Sequence, residues 1–166
     1  MNNKNILIVS ATSKSNLLLA TKIQKCIIDD SVNVEVLNLE DYCLPIFTEK
    51  FFNENNKDFL EIVELITNKF IIADGIIICA PEYNGSVPPI INNTIAWISM
   101  STKYWRDSFN NKIGFICSSS GGEANKFITS MKLQLEHLGM IVLSRNIVIN
   151  NSKNFNEKSA LKILKQ

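Results

Sequence analysis

Three short stretches of this chain carry the residues that could hold a small anionic ligand. The first reads Ser10-Ala11-Thr12-Ser13-Lys14-Ser15-Asn16, and the last reads Ser118-Ser119-Ser120-Gly121-Gly122. Small residues let the backbone approach a ligand closely, and hydroxyls donate to phosphate oxygens. Thr12, Ser13, Ser15 and Asn16 stand just ahead of a helical pattern, whose N-terminus carries partial positive charge, and Lys14 adds a full one. Residue types alone read this stretch equally as a phosphate cradle and as a capped helix start. It is neither GxGxxG nor GxxxxGK, so it is neither a dinucleotide fingerprint nor a P-loop. The middle stretch, Pro81-Glu82-Tyr83-Asn84-Gly85-Ser86, combines a carboxylate, a flat aromatic ring and a turn glycine.

Other chemistries have little to build on. The single histidine, His137, falls near the end of a predicted helix, where a cation is favourable, and reads as a stabilising residue. Cys26, Cys43, Cys79 and Cys117 form no CxxC pair, so neither a zinc site nor a Cys–His nucleophile is expected. Cys79 and Cys117 end apolar runs, where a thiol acts as a small buried hydrophobe.

The elements that must position the three stretches follow from periodicity. Residues 5–10 predict a first strand, and Ser15 and Asn16 cap a helix with Leu19, Ile23 and Ile27 on one face. Val32, Val34 and Val36 alternate as a half-buried strand near a sheet edge. A long connection, 39–57, is of a length that is often functional. A helix over about 57–70 places Phe59, Ile62, Val63, Ile66 and Phe70 on one side. Residues 75–80 are apolar without alternation, as a central parallel strand requires. Val87-Pro88-Pro89 opens a third helix with Ile91, Thr94, Ile95 and Ile98 facing inward. A fourth strand over 112–117 leads to a helix over 123–138 carrying Phe127, Met131, Leu135 and Leu138, closed by Gly139. Residues 140–149 read as a fifth strand, and a short helix starts near 156.

Five such units predict one domain over 1–166: a three-layer, doubly wound α/β sheet, flavodoxin-like, parallel, in the order 2-1-3-4-5. Ligands of such sheets bind at the carboxyl ends of the strands, at the switch point between strands one and three. The loops reaching that point are the three stretches above. A length of 166 residues with 46% hydrophobic and 20% charged residues suits one globular core. The net charge of +1 leaves no basic excess for a nucleic-acid backbone. No segment has the length of a membrane span or an export signal, so a cytoplasmic protein is expected.

Residues 74–88, Asp-Gly-Ile-Ile-Ile-Cys-Ala-Pro-Glu-Tyr-Asn-Gly-Ser-Val-Pro, closely resemble the signature of the NADPH-dependent FMN reductase family. That family includes flavin, quinone, azo-dye and chromate reductases. Residues 10–16, followed by Leu19-Ala20, resemble a shortened form of its phosphate loop, and 118–122 match in position and in the glycine pair. The resemblance implies that Thr12, Lys14, Ser15 and Asn16 serve the FMN phosphate, with Ser10 of the same loop among the cofactor-binding residues. It implies that Pro81, Glu82, Tyr83, Asn84 and Gly85 lie along the isoalloxazine, while Ser119, Ser120, Gly121 and Gly122 close its other edge. The redox chemistry would belong to flavin N5, with no catalytic side chain and no metal, and Glu82 would not be needed as a proton donor. Four positions depart from the family pattern. Ala11 stands for a glycine, Lys14 for an arginine, and Asn92 and Ala96 for a lysine and an aspartate.

The function implied is transfer of hydride from NADPH or NADH, through FMN, to a small acceptor by a ping-pong scheme. The alternatives are a flavodoxin-type electron carrier without a nicotinamide site, and a fold that has lost its flavin. Electron carriers are typically strongly acidic, which a net charge of +1 does not match. Trp97, Tyr104 and Trp105 read either as core or as the surface of a homodimer or homotetramer.

Overall fold

The computed structural model describes residues 3–54 and 57–164. Asn55 and Asn56 of the long connection, and the two residues at each end of the chain, lie outside the described residues. Strand β1 (Lys4–Ser10) pairs in parallel with β2 (Val32–Asn38) and with β3 (Gly75–Cys79). Strand β3 pairs in turn with β4 (Ile113–Ser119). The order 2-1-3-4-5 is as expected. Registers Ser10↔Cys79 and Cys79↔Cys117 bring the carboxyl ends of β1, β3 and β4 level, so their following loops meet at one edge.

Alternation of side chains across the strands divides the core in two. On one face Leu7, Val9, Ile76, Ile78 and Ile116 pack against three helices, α3 (Lys57–Ile72), α4 (Pro89–Ser101) and α5 (Asn125–His137). On the other, Ile8, Ile77, Phe115, Cys79 and Cys117 meet Leu19 and Ile23 of α1 (Ser15–Ile27) and Ala160 of α6 (Glu157–Leu164). Every residue of β3 is buried, which is why its sequence shows no alternation. Beneath the sheet, Lys112 Nζ donates to the carbonyls of Phe70, Ile71 and Ala73 at 2.6–2.8 Å and closes the end of α3.

Several boundaries differ from expectation. The fifth strand is two pieces, β5 (Ile141–Val142) and β6 (Ile147–Ile149), giving six strands among the described residues. Ile141 faces Ile113 and Ile147 faces Cys117, so the seven residues 141–147 on this edge oppose the five residues 113–117 on β4. The surplus loops out through the polar run Ser144-Arg145-Asn146. Lys14 holds the N-cap position of α1 and makes no side-chain cap; Ser15 and Asn16 are its first helical residues. Helix α5 starts at Asn125 because Ala124 takes a left-handed conformation at φ +52°. Ile62 of α3 points outward, and Val63, Ile66 and Phe70 make the buried stripe.

The long connection is mostly packing. A 3-10 turn (Leu39–Tyr42) and helix α2 (Glu49–Asn53) lead it across α4. There Trp97, fully buried, meets the rings of Phe47, Phe51, Phe52 and Phe59 at 4.7–6.2 Å and donates Nε1 to the Pro45 carbonyl at 2.9 Å. Trp97 is therefore core, whereas Tyr104 and Trp105 are exposed.

Candidate functional site

A cavity of about 850 Å³ opens at the carboxyl ends of β1, β3 and β4. The first loop forms its floor. Ala11 N–H donates to the Cys79 carbonyl at 2.9 Å, and the buried Ser10 hydroxyl to the Thr12 carbonyl at 2.9 Å, which bends the chain into α1. The first intrahelical bond of α1 runs from Leu18 N–H to the Lys14 carbonyl. The N–H groups of Ser15, Asn16 and Leu17 precede it and have no intrahelical acceptor, so the positive end of the helix faces the cavity.

The side chain of Asn16 is turned to another use. Its Nδ2 donates to the Ser119 carbonyl at 2.9 Å, and Ser119 N–H donates to its Oδ1 at 2.8 Å. This buried pair locks the first loop to the third. The second loop is fixed just as firmly. Glu82 N–H donates to Ser120 Oγ at 3.1 Å, and Glu82 Oε2 accepts the N–H groups of Lys126 and Phe127, both at 3.0 Å. Two residues of another element thus have their orphan donors capped by Glu82, at the start of α5.

Beyond Glu82 the chain reverses. Tyr83 and Ser86 exchange both backbone hydrogen bonds, at 3.0 and 3.2 Å, around Asn84 at φ +51° and Gly85 at φ +69°. Positive φ at both central residues is the requirement of a type I′ turn, and Asn-Gly meets it with least strain. Tyr83 is left half exposed at the rim. In the third loop, Ser120 N–H donates to the Ile149 carbonyl at 3.1 Å, and Asn150 Nδ2 supports Gly122 and Glu123. A Cβ added at Gly121 or Gly122 would meet nothing within 4 Å, so the backbone here is bare to an approaching ligand.

The three stretches singled out in the sequence do converge. Thr12, Lys14, Ser15 and Asn16 line the cavity together with Pro81, Glu82 and Tyr83 and with Ser119, Ser120 and Gly121. Ser10 lies beneath the floor; Asn84, Gly85 and Gly122 shape their loops from outside the lining. Glu40 also lines the cavity, as do Lys22, Lys153 and Phe155, and sequence reasoning missed all four. They come from the turn after β2, from helix α1 and from the segment after β6, so no spacing joins them. For Glu40 a signal did exist, since a turn leaving β2 must stand beside the loop leaving β1. Hydrogen bonds from the Ser13 hydroxyl and N–H, and then the charge of Lys14, hold its carboxyl below the ordinary range.

A family model described as NADPH-dependent FMN reductase matches residues 4–154. The chain belongs to that family. Its members are oxidoreductases that use FMN with a nicotinamide donor. An uncharacterized protein, the MG342 homolog of Mycoplasma pneumoniae, is 28% identical over 129 residues, covering 74% of each chain. A 2-hydroxy-1,4-benzoquinone reductase from Burkholderia sp. is 29% identical over 92 residues, which span 55% of this chain and 46% of that one. Among solved structures, the flavoenzyme NAD(P)H:(acceptor) oxidoreductase FerB of Paracoccus denitrificans gives a TM-score of 0.73 at 18% identity, covering 98% and 97% of the two chains. That likeness establishes the flavodoxin-like fold.

The residues of the cavity fit the family's cofactor. Free helix N–H groups and Lys14 offer the donors and positive charge that a phosphate needs. Bare glycine backbone at Gly121 and the Pro81–Tyr83 segment line the same cavity, where a flat ring needs close approach. Among the described residues no group of three or more metal-ligating side chains occurs. No helix of the described residues is long and apolar enough to cross a membrane.

Proposed function

We propose that this chain passes hydride from NADPH or NADH to a small oxidised acceptor in two half-reactions that share one binding face. FMN, when bound, would supply the hydride-transfer chemistry. The protein positions and stabilises. Thr12, Lys14, Ser15 and the N-terminal N–H groups of α1 hold the phosphate. Pro81, Glu82 and Tyr83 together with Ser119, Ser120 and Gly121 would hold the ring system, mainly through backbone groups able to stabilise negative charge on it. Ser10, Asn16, Asn84, Gly85 and Gly122 hold these loops in place.

The observation that carries this reading is the convergence of Pro81, Glu82 and Tyr83 of the family's signature loop with a helix N-terminus and the bare backbone of Gly121 around one cavity. Glu82 supports it in a negative way. Its carboxylate is occupied by two backbone N–H groups, so it is a loop anchor and not a free acid or base. The cavity is open at Tyr83, which suits an acceptor that enters after the nicotinamide has left. The Burkholderia relative makes a benzoquinone the first acceptor to try.

Steady-state rates at several fixed NADPH concentrations, with a benzoquinone varied, test the scheme. Parallel double-reciprocal lines are expected; intersecting lines would contradict two separate half-reactions. The exposed Tyr104, Trp105 and Met100 support self-association as a homodimer or homotetramer. Light scattering on the eluting peak should give a multiple of the chain mass, and a monomer mass would contradict it.

A further inference from the structure

Glu40 brings a negative charge to the place where a phosphate is to be held. It lies in the 3-10 turn Leu39–Tyr42 that follows β2, and β2 is the sheet neighbour of β1. That adjacency sets the turn against the first loop. Glu40 Oε2 accepts Ser13 N–H at 2.6 Å, and the Ser13 hydroxyl serves the same carboxylate. Asn38 Nδ2 fixes Ser13 from the other side, bonding Oγ at 3.0 Å and Asp41 Oδ1 at 2.7 Å. The N–H of Ser13, in the middle of the phosphate loop, is thus held by a side chain of the protein itself. Lys14, the one full positive charge in that loop, is near enough to stabilise the same carboxylate.

We propose that Glu40 is an internal competitor for the FMN phosphate, and that it sets how strongly the site distinguishes FMN from unphosphorylated riboflavin. This rests on the FMN reading above. The physical reason is twofold. A carboxylate and a phosphate ask for the same donors, so one must give way at Ser13. Wherever the displaced carboxylate settles on its short turn, it remains a like charge beside the phosphate and offsets Lys14. Glu40 is solvent exposed, so the repulsion is screened and its effect is modest. Contacts of the ring with residues 81–83 are the same for both flavins and cancel in the comparison.

The test is the pair of dissociation constants for FMN and riboflavin, read from flavin fluorescence, in the wild type, Glu40→Gln and Glu40→Ala. Glutamine keeps an acceptor for Ser13 without the charge, and alanine removes both, so the two variants do not share a folding risk. The ratio of riboflavin Kd to FMN Kd should rise about three- to tenfold in each folded variant, the range expected for a screened like-charge contact. The rise should come from tighter FMN with riboflavin unchanged, and should shrink as salt is added. An unchanged ratio would overturn the proposal. Equal weakening of both flavins would also overturn it, making Glu40 a loop anchor only. If the wild type binds neither flavin, the FMN reading itself falls, a result distinct from either of these.

Discussion

Asn16 and Ser119 exchange two hydrogen bonds across the site, joining the first turn of α1 to the last residue of β4, more than a hundred positions later. Asn16 is buried, and its amide is consumed by this pair. It therefore holds the two loops at a fixed separation. Replacing it by alanine leaves the Ser119 N–H and carbonyl without partners in a desolvated place. Asn16→Ala should destabilise the fold by about 2–3 kcal/mol, read from the urea midpoint at constant m. A change below a few tenths of a kcal/mol would mean that the clamp contributes nothing.

Glu82 supplies the cap that α5 lacks in its own sequence, where Ala124 holds the N-cap position without a side-chain bond. Glu82→Ala should cost about 1–2 kcal/mol, a typical cap loss augmented by the helix dipole. Glu82→Gln, which keeps one acceptor, should cost less. Because the carboxylate is a cap and not a proton donor, the pH profile of turnover should have the same shape in Glu82→Gln as in the wild type. A missing limb in that profile would assign Glu82 to the chemistry instead.

At Gly85 two effects compete. An added Cβ would lie 3.1 Å from Cδ of Lys126, the flexible part of a long side chain that yields cheaply. The φ of +69° does not yield, since leaving it would undo the turn between Tyr83 and Ser86. Backbone strain is thus the larger effect, at about 1–2 kcal/mol for Gly85→Ala. Gly85→Asn should cost less, as asparagine tolerates the left-handed region. Thermal melts of both variants check the order, and an equal cost would point to the Lys126 contact.

Acid should act through two carboxylates whose folded-state acidity is raised. Glu40 is held down chiefly by Ser13, and Asp74 chiefly by Asn5 N–H at 2.8 Å and by Lys4. A group with a lowered folded pKa contributes stability that is fully present above its unfolded value and lost as pH falls through the folded one. Melting temperature should therefore be flat near neutrality on this account and fall below the ordinary carboxylate range. Both groups are exposed, so the loss is small. The double variant Glu40→Gln, Asp74→Asn should show a shallower fall between about pH 5 and pH 3. An identical slope would remove these two groups from the acid response.

Local signals made the layers legible. The unbroken apolar run of β3 announced a strand buried on both faces, and Val87-Pro88-Pro89 announced the start of α4. Asn84-Gly85 fits the reversal it makes. What could not be read are relations between distant segments. Nothing near Glu82 says that it caps α5, and nothing near Asn16 says that its amide belongs to Ser119. The break in the last strand is set by register against β4, where Ile113 and Cys117 meet Ile141 and Ile147. Glu40 was only partly hidden: the end of β2 places its turn beside the first loop, but a connection read as one long loop does not single out the residue that meets Ser13.

The central claim, that the loop 81–86 and its neighbours form a working flavin site fed by a nicotinamide, meets its most direct test in an anaerobic cuvette. Purified protein loaded with FMN is titrated with NADPH, then with NADH, while the yellow absorbance is followed. The account predicts stoichiometric bleaching by at least one donor and recovery of the colour when a benzoquinone is added. Absorbance that stays unchanged with both donors would contradict it.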